Sequence, residues 1–535
     1  MSIKNADLIV KILKDAGITH GFGIPSGNVL PFIEAMRKGG IQFVLTAHEG
    51  SAGFAADVIG RVTGRPGLCI ATLGPGATNL ATGVGNAYLD RSPMIAITCN
   101  INTNQLGRRI QMHIDHHTLF QPITKATLPL RQGQITSTLE EAICTALSEP
   151  QGPVHLDLPE DVSLASATEE APPIPEGKRF QPAPETAIKK FGHLLRNAKR
   201  PVAVLGSSAM RMKDIGSLRL FVEKNQIPFA STTMAKGLID EDHPLSVGCI
   251  ERSCRQTQRA FLHQADFVIG LGYDVVEVEY EAWIKDVPLG HVDIEPADTD
   301  VSVNVAHEVI GDLDASIQRM NRLDAGPNEW PSGVALSHKE KFQKSLRPKT
   351  ETFTPHQAID VVRSVLPREG ILSFDVGAHT HQIASQWTAH DPRTFLITNG
   401  WSSMGFGIPA GIAAKIAQPK IPVVTIIGDG CFTMTCGELI VAKRMRLPLP
   451  VIVLDDRWLG LIQVKQNRRN FALYGTELQL EEYTDPPVHY FGVPAVGVRD
   501  PISMEKELKK ALEASGPTVI EAVVDPGHYM ETVFD

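Results

Sequence analysis

The chain has 535 residues, 43% of them hydrophobic and 21% charged, with a formal net charge of −9 and seven cysteines. That length exceeds what one hydrophobic core supports and predicts three domains of ordinary size. The balance is too acidic for a nucleic-acid surface and no run approaches a membrane span. The scattered cysteines, with no CxxC pair, predict reduced thiols in a cytoplasmic protein rather than a disulfide or zinc framework.

Residues 1–7 lead straight into a helical pattern, so no signal or transit peptide is expected. Ala6–Ala16 repeats apolar residues at helical spacing and stops at Gly17. A short strand then enters the turn Gly23-Ile24-Pro25-Ser26-Gly27-Asn28, and a helix follows over Val29–Arg37. The strand Phe43–Thr46 delivers His48-Glu49, and an Ala- and Gly-rich helix covers Ser51–Thr63. Gly67–Thr72 is a third strand, leading through Gly74-Pro75-Gly76-Ala77-Thr78-Asn79 into a small-residue helix that ends at Leu89. With Met94–Cys99 the β–α repeat predicts a doubly wound sheet, whose ligand-binding edge carries Gly23, Glu49 and Gly74. A glutamate opening a small-residue helix is by default a dipole partner or simply solvated. The stretch Gln111–His117 holds three histidines near an aspartate; a polar loop at a subunit contact is the preferred reading over a metal site. Gly152–Pro159 closes a first domain over 1–168, and the Pro-, Ala- and Glu-rich stretch Glu169–Pro184 is a linker.

A second α/β domain spans 186–325, with strands at Pro201–Leu205, Phe267–Leu271 and Leu289–Ile294. Gly206 begins a plausible nucleotide-binding turn, but Ser207-Ser208-Ala209-Met210-Arg211 breaks the GxGxxG fingerprint, so a structural domain without flavin is expected. Residues 326–352 read as a polar linker. The third domain, 353–535, repeats the first one's logic. Ile371–Phe374 leads into the turn Asp375-Val376-Gly377-Ala378-His379, and Gly400–Pro409 is a second glycine-rich segment. Pro422–Ile427 is apolar and β-branched, as a buried parallel strand should be. Gly428-Asp429-Gly430 is expected to end it in a tight turn, followed by a helix over Glu438–Arg446 and a strand Val451–Leu454 that stops at Asp455-Asp456. Asp429 and Asp456 then lie past strand C-termini on one edge. Two carboxylates beside glycine amides suit magnesium, which in turn neutralises a diphosphate; the plain alternative is two solvated strand-end aspartates.

Gly428-Asp429-Gly430 with Asp455-Asp456 about 27 residues on, His48-Glu49-Gly50, and Leu119–Lys125 together resemble one family. It is the thiamine-diphosphate enzymes of the acetolactate synthase, pyruvate oxidase and benzoylformate decarboxylase group, and the nearest branch is the flavin-independent (catabolic) acetolactate synthases. The resemblance implies three doubly wound domains: pyrimidine-binding, central and diphosphate-binding. It implies thiamine diphosphate and Mg2+ as cofactors, with the metal held by Asp429, Asp456 and the backbone carbonyl of Trp458. Glu49 becomes the carboxylate that drives proton removal from the cofactor, a relay that needs a water-poor site. Pro25, Pro75 and Asn79, and on the diphosphate side Gly377, Ala378, His379, Ser402, Gly428, Gly430, Cys431 and Phe432, are implied cofactor contacts. Met404 falls where an apolar residue props the cofactor into its bent shape.

Gln111 is the implied substrate contact, and Leu459–Gln466 resembles the helix that covers the site. Active sites lie between subunits of a homodimer or homotetramer, and the substrates are 2-oxo acids or aldehydes. The expected reaction is decarboxylation of a 2-oxo acid followed by carboligation. Simple decarboxylation, or hydroxy-ketone lysis of the benzaldehyde-lyase kind, is the alternative; a flavin or NAD oxidoreductase and a non-catalytic relative are the readings from outside the class. Two departures stand out. Asp455-Asp456 replaces the usual Asn-Asn, and Asn28 stands where catabolic acetolactate synthases carry a lysine.

Overall fold

The computed structural model describes residues 3–174, 177–178, 180–323, 325–479 and 485–533. Part of the stretch read as a first linker, 169–184, and the last two residues lie outside the described residues. The chain forms three sheets, each flanked by helices. The N-terminal sheet runs, edge to edge, Gln42–Leu45, His20–Gly23, Gly67–Ala71, Met94–Asn100, Pro153–Pro159, Ala126–Pro129, all parallel. The central sheet has six parallel strands with its order reversing between Pro201–Leu205 and Phe267–Leu271. The C-terminal sheet has seven strands, parallel except for the edge pair His489–Tyr490 and Val493–Val498. Its order reverses between Ile371–Phe374 and Val423–Gly428.

The central strands of each sheet are buried on both faces, which is why they read as unbroken apolar runs. Small residues set how the helices meet. A Cβ on Gly53 would come within 2.7 Å of the Gly83 Cα, and one on Gly83 within 2.5 Å of the Gly53 Cα. The helices Glu49–Thr63 and Pro75–Leu89 therefore cross backbone to backbone. On its other side Glu49–Thr63 packs against the equally small-sided helix Gly407–Ala417, with Phe54 edge-on to Phe406 at 5.7 Å. The first and third domains thus share one apolar core.

Three expectations need correction. The supposed linker 326–352 carries the helix Val334–Ser345, whose Phe342 is fully buried against Cys254 and Leu346. The strand Val423–Gly428 does not end in a separate turn; the helix Asp429–Thr435 begins at once. The histidine stretch is not merely a surface loop: His116, on the short helix His116–Phe120, is buried and bonds Asp157 and Thr98. No helix among the described residues is long and apolar enough to cross a membrane.

Candidate active site

The site is assembled from two sheet edges. On the N-terminal sheet, Glu49 is the first residue of the helix Glu49–Thr63, whose N-cap is His48. It is 8% exposed, and its Oε2 accepts from Asn79 Nδ2 at 3.0 Å. Oε1 lies over Gly76, where a Cβ would approach it to 3.4 Å. Asn79 sits in the first turns of the helix Pro75–Leu89; Pro75 occupies its N-terminal position and is exposed, as is Pro25. Asn28 lies in the 3₁₀ turn Gly27–Val29 and caps no helix; its amide points to the Asn100 carbonyl at 3.4 Å. Gln111 is exposed on the same edge.

On the C-terminal sheet, the turns after Ile371–Phe374 and Val423–Gly428 flank the point where strand order reverses, the usual place for a ligand in an open α/β sheet. His379 lies between those turns. A Cβ on Gly377 would meet its ring at 2.6 Å and one on Gly428 at 2.9 Å, so a side chain at either position would displace the imidazole. Burial holds the His379 imidazole down at about 4, and its Nε2 is a buried atom without a hydrogen-bond partner. Asp429 Oδ1 accepts from Gly430 N at 2.8 Å and Oδ2 from Arg457 N at 2.9 Å; Asp456 Oδ1 accepts from Trp458 N at 2.9 Å.

Burial, reinforced by the Asp456 and Asp455 charges, pushes Asp429 up to about 9. Burial, with Asp455 adding and the Trp458 N–H opposing, pushes Asp456 up to about 7. Asp455 Oδ2 is buried with no partner. Three crowded, largely buried carboxyl groups form the oxygen-rich donor set that a hard divalent cation takes, so the residues fit such an ion. The grouping Asp240, Asp242 and His390 is different, because the Arg368 guanidinium already pairs with both aspartates.

Cys431 donates its S–H to the Val376 carbonyl at 3.0 Å, and Phe432 is buried edge-on to Tyr490, so both link turns rather than project outward. Met404 is half-buried, with its methyl 3.5 Å from a Cβ built on Gly430. Its turn is strained: Ser402 has φ 50° and Gly405 φ 94°. Asp375 holds the turn from below, accepting from Gly405 N at 3.0 Å and Gly407 N at 2.7 Å. A cavity of about 550 Å3 lies between the central domain, with Arg252, Arg255, Val276 and Glu277 on its wall, and the C-terminal Gly377, Ser402, Leu461 and Lys465. A larger one, about 830 Å3, lies at the junction of the three domains and includes none of these residues.

Two contributors were not legible in the sequence. Glu438, 1% exposed, reaches across to the first domain and accepts from Ala47 N and His48 N at 3.1 Å each. Tyr529, from the C-terminal helix Tyr529–Thr532, packs with Ala378 and Val464 over the carboxylates. Neither belongs to a recognisable spacing. In the central domain, Glu277 fills the reversal point of the sheet, accepting from Thr232 Oγ1 and Met234 N at 2.8 Å each. Gly272 packs so closely that a Cβ would lie 2.4 Å from the Ala209 nitrogen.

Residues 3–122 match the model of the thiamine pyrophosphate enzyme N-terminal TPP-binding domain, 188–320 the central domain and 375–522 the C-terminal TPP-binding domain. The chain is 31% identical to a probable acetolactate synthase large subunit of Methanocaldococcus jannaschii, over 99% of this chain and 93% of the relative. It is 30% identical to the acetolactate synthase isozyme 1 large subunit of Escherichia coli, over 97% and 94%. It is 27% identical to the acetolactate synthase of Bacillus subtilis, over 98% and 93%.

Proposed function

Since the chain belongs to the thiamine pyrophosphate enzymes and is an acetolactate-synthase-like member of them, we propose that it decarboxylates a 2-oxo acid and joins the remaining acyl carbon to a second carbonyl compound. The observation that carries this is the convergence of Asp429, Asp455 and Asp456 at the reversal point of the C-terminal sheet, opposite in kind to the lone, hydrogen-bonded Glu49 of the first domain. When bound, thiamine diphosphate supplies an acidic carbon that becomes the nucleophile and then the electron sink. Asp429, Asp456 and the Trp458 carbonyl would hold Mg2+. The first-turn amides of the helix Ala378–Gln386 suit the diphosphate oxygens. His379, neutral at physiological pH and with its Nε2 unpartnered, fits beside them without adding charge.

Glu49 works as a proton carrier. Asn79 fixes Oε2, which leaves Oε1 to take up and return the proton. Its burial keeps water from competing. Met404 props the cofactor, and Pro25 and Pro75 shape the pyrimidine side. Asn28 and Gln111 face the substrate. The central domain is structural; Glu277 there is tied to Thr232 and Met234 of its own sheet.

Within one chain the hydrogen bonds of Glu49 go to Asn79 and those of Asp429 to Gly430 and Arg457, so the two halves are built separately. Exposed apolar side chains flank both, Leu30 and Leu45 on one and Met434 and Ile440 on the other. A homodimer or homotetramer in which Glu49 faces the partner's diphosphate site satisfies both facts. Because Asn28 is neutral, carboligation onto an aldehyde, or plain protonation, competes with condensation of two anionic 2-oxo acids; Lys465 then provides the cation for the donor. Incubating the magnesium- and thiamine-diphosphate-loaded enzyme with a 2-oxo acid panel, with carbon dioxide and products identified, tests the reading. No release from any 2-oxo acid would overturn it.

A further inference from the structure

The turn that carries Met404 is set by the first domain of its own chain. Four consecutive residues lead into it, none in a helix or strand, and each is held from across the domain boundary. Arg61 Nη1 donates to the Ile397 carbonyl at 2.6 Å. The Thr398 hydroxyl donates to Asn86 Oδ1. Asn399 N and Gly400 N donate to the Asp90 carboxylate at 3.2 and 2.8 Å. These side chains are locked to one another. Arg61 pairs with Asp57 through Nε at 3.0 Å and Nη2 at 2.5 Å, and Nη2 also meets Asp90 at 2.7 Å. Asn86 Nδ2 donates to Asp57 Oδ2 at 2.9 Å. Just beyond Gly400, the Trp401 ring lies on Gly85, where a Cβ would come within 2.8 Å of the indole. Residues 401–404 are therefore suspended between two buried carboxylates, Asp90 in front and Asp375 behind.

We propose that Arg61 and Asp90 are positioning residues that fix the Met404 turn and, through it, the bent shape of the bound cofactor. The proposal rests on the reading of Met404 as the cofactor prop. A pair that only glued two domains together would gain as much from any surface contact. Burying a guanidinium and two carboxylates is costly unless every lone pair and N–H finds a partner. Here the partners are the backbone groups of one irregular segment, so the network specifies that segment's conformation.

The same two helices carry the proton-carrying end as well. Glu49 and Asn79 sit near their starts, Arg61 and Asn86 near their ends. The twelve helical steps from Glu49 to Arg61 span roughly 18 Å. In the dimer proposed above, one rigid helix pair would serve Glu49 to the partner's cofactor and the clamp to its own chain's cofactor.

The test compares wild type with Asp90→Ala, the isosteric Asp90→Asn, Met404→Ala and the double variant Asp90→Ala/Met404→Ala. Amide hydrogen exchange of the apo-protein reads the segment 397–407 directly, with 371–380 as internal control. Deuterium exchange at the reactive carbon of added thiamine diphosphate, at saturating Mg2+, reads the prop without turnover. We expect Asp90→Ala to speed amide exchange in 397–407 about tenfold or more while 371–380 is unchanged, and to slow exchange at the cofactor carbon about tenfold. Asp90→Asn should fall between, and keeps the test open if Asp90→Ala does not fold. The double variant should be no slower than Met404→Ala alone. Wild-type exchange at the cofactor carbon in folded Asp90→Asn and Asp90→Ala, or effects of Asp90→Ala and Met404→Ala that multiply, would overturn the proposal and leave the functional reading intact. A wild type that binds no thiamine diphosphate would sink both.

Discussion

Replacing Asp456 by asparagine should stabilise the metal-free protein and weaken its response to magnesium, since the amide oxygen remains a ligand but the charge is gone. Both carboxyl groups are raised well above 3.8, Asp456 to about 7 and Asp429 to about 9. Between pH 4 and those values the folded metal-free state holds protons that the unfolded chain has released. Stability therefore falls as pH rises, since the unfolded state binds fewer protons there. The contribution of this pair is greatest below the unfolded value and is lost as pH climbs through about 7 and then about 9.

For Asp456 alone the shift amounts to roughly 4 kcal/mol at most. With local relaxation roughly 2 kcal/mol remains, or roughly 4–8 °C in Tm for a domain of this size. The assay is thermal unfolding of chelator-treated protein at pH 6.0, 7.0 and 8.5, with and without millimolar magnesium. Wild-type Tm should drop across that series without metal and recover with it, most strongly at high pH, where metal displaces the fewest protons. Asp456→Asn should be flatter, higher at pH 8.5 without metal and raised less by magnesium than wild type. A metal-free wild type whose Tm does not fall with pH, or a variant that magnesium stabilises more than wild type at pH 8.5, would refute the reasoning.

Glu49→Gln should preserve fold and magnesium binding yet slow deuterium exchange at the cofactor carbon roughly 10²–10⁴-fold, the range for a lost proton carrier; equal rates would remove Glu49 from the chemistry. Light scattering at assay concentration should give a dimer or tetramer, and a fully active monomer would require Glu49 and Asp429 to meet within one chain. Glu438→Ala leaves the Ala47 and His48 N–H groups without their carboxylate, which should cost roughly 1–3 kcal/mol; a Tm equal to wild type would show that water replaces it. Asn28→Lys should favour condensation of two pyruvates, because an ammonium adds Coulombic attraction of roughly 4 kcal/mol at an effective dielectric near 20 where an amide gives roughly 1 kcal/mol. Product ratios from pyruvate alone and from pyruvate plus an aldehyde decide it.

The strands at both candidate edges could be read because buried parallel strands announce themselves as apolar runs ended by glycine. Asp429 and Asp456 could be singled out because each follows such a run closely; Glu49, behind the part-exposed edge strand Gln42–Leu45, is marked only by its resemblance to a family motif. What could not be read were contacts that cross domains. Asp57 and Arg61, four apart on a helix, look like an ordinary surface pair, and nothing local marks the pair as buried under residues 397–400. Glu438 likewise looks like the solvated start of a helix. The helix Val334–Ser345 was missed because a polar composition with few apolar anchors resembles a linker until Phe342 finds its pocket. Nothing in its own stretch marks His116 as a core residue: its partners Thr98 and Asp157 come from the strands Met94–Asn100 and Pro153–Pro159.

The distribution of charge says how the halves divide their labour. On the C-terminal edge the carboxyl groups are crowded, raised and short of partners, an arrangement that needs a cation before it is comfortable. On the N-terminal edge Glu49 has one amide donor on one oxygen, and the neighbouring acid, Glu438, is engaged by the Ala47 and His48 N–H groups. A carboxylate among the metal ligands would be neutralised by the ion and useless as a base. One beside Gly76 and Asn79, on the other sheet, lies outside the metal-ligand set. On the proposed function, placing the two on different sheets, joined by the bonds of Arg61 and Asp90 to residues 397–400 and of Glu438 to residues 47–48, divides diphosphate binding from proton transfer.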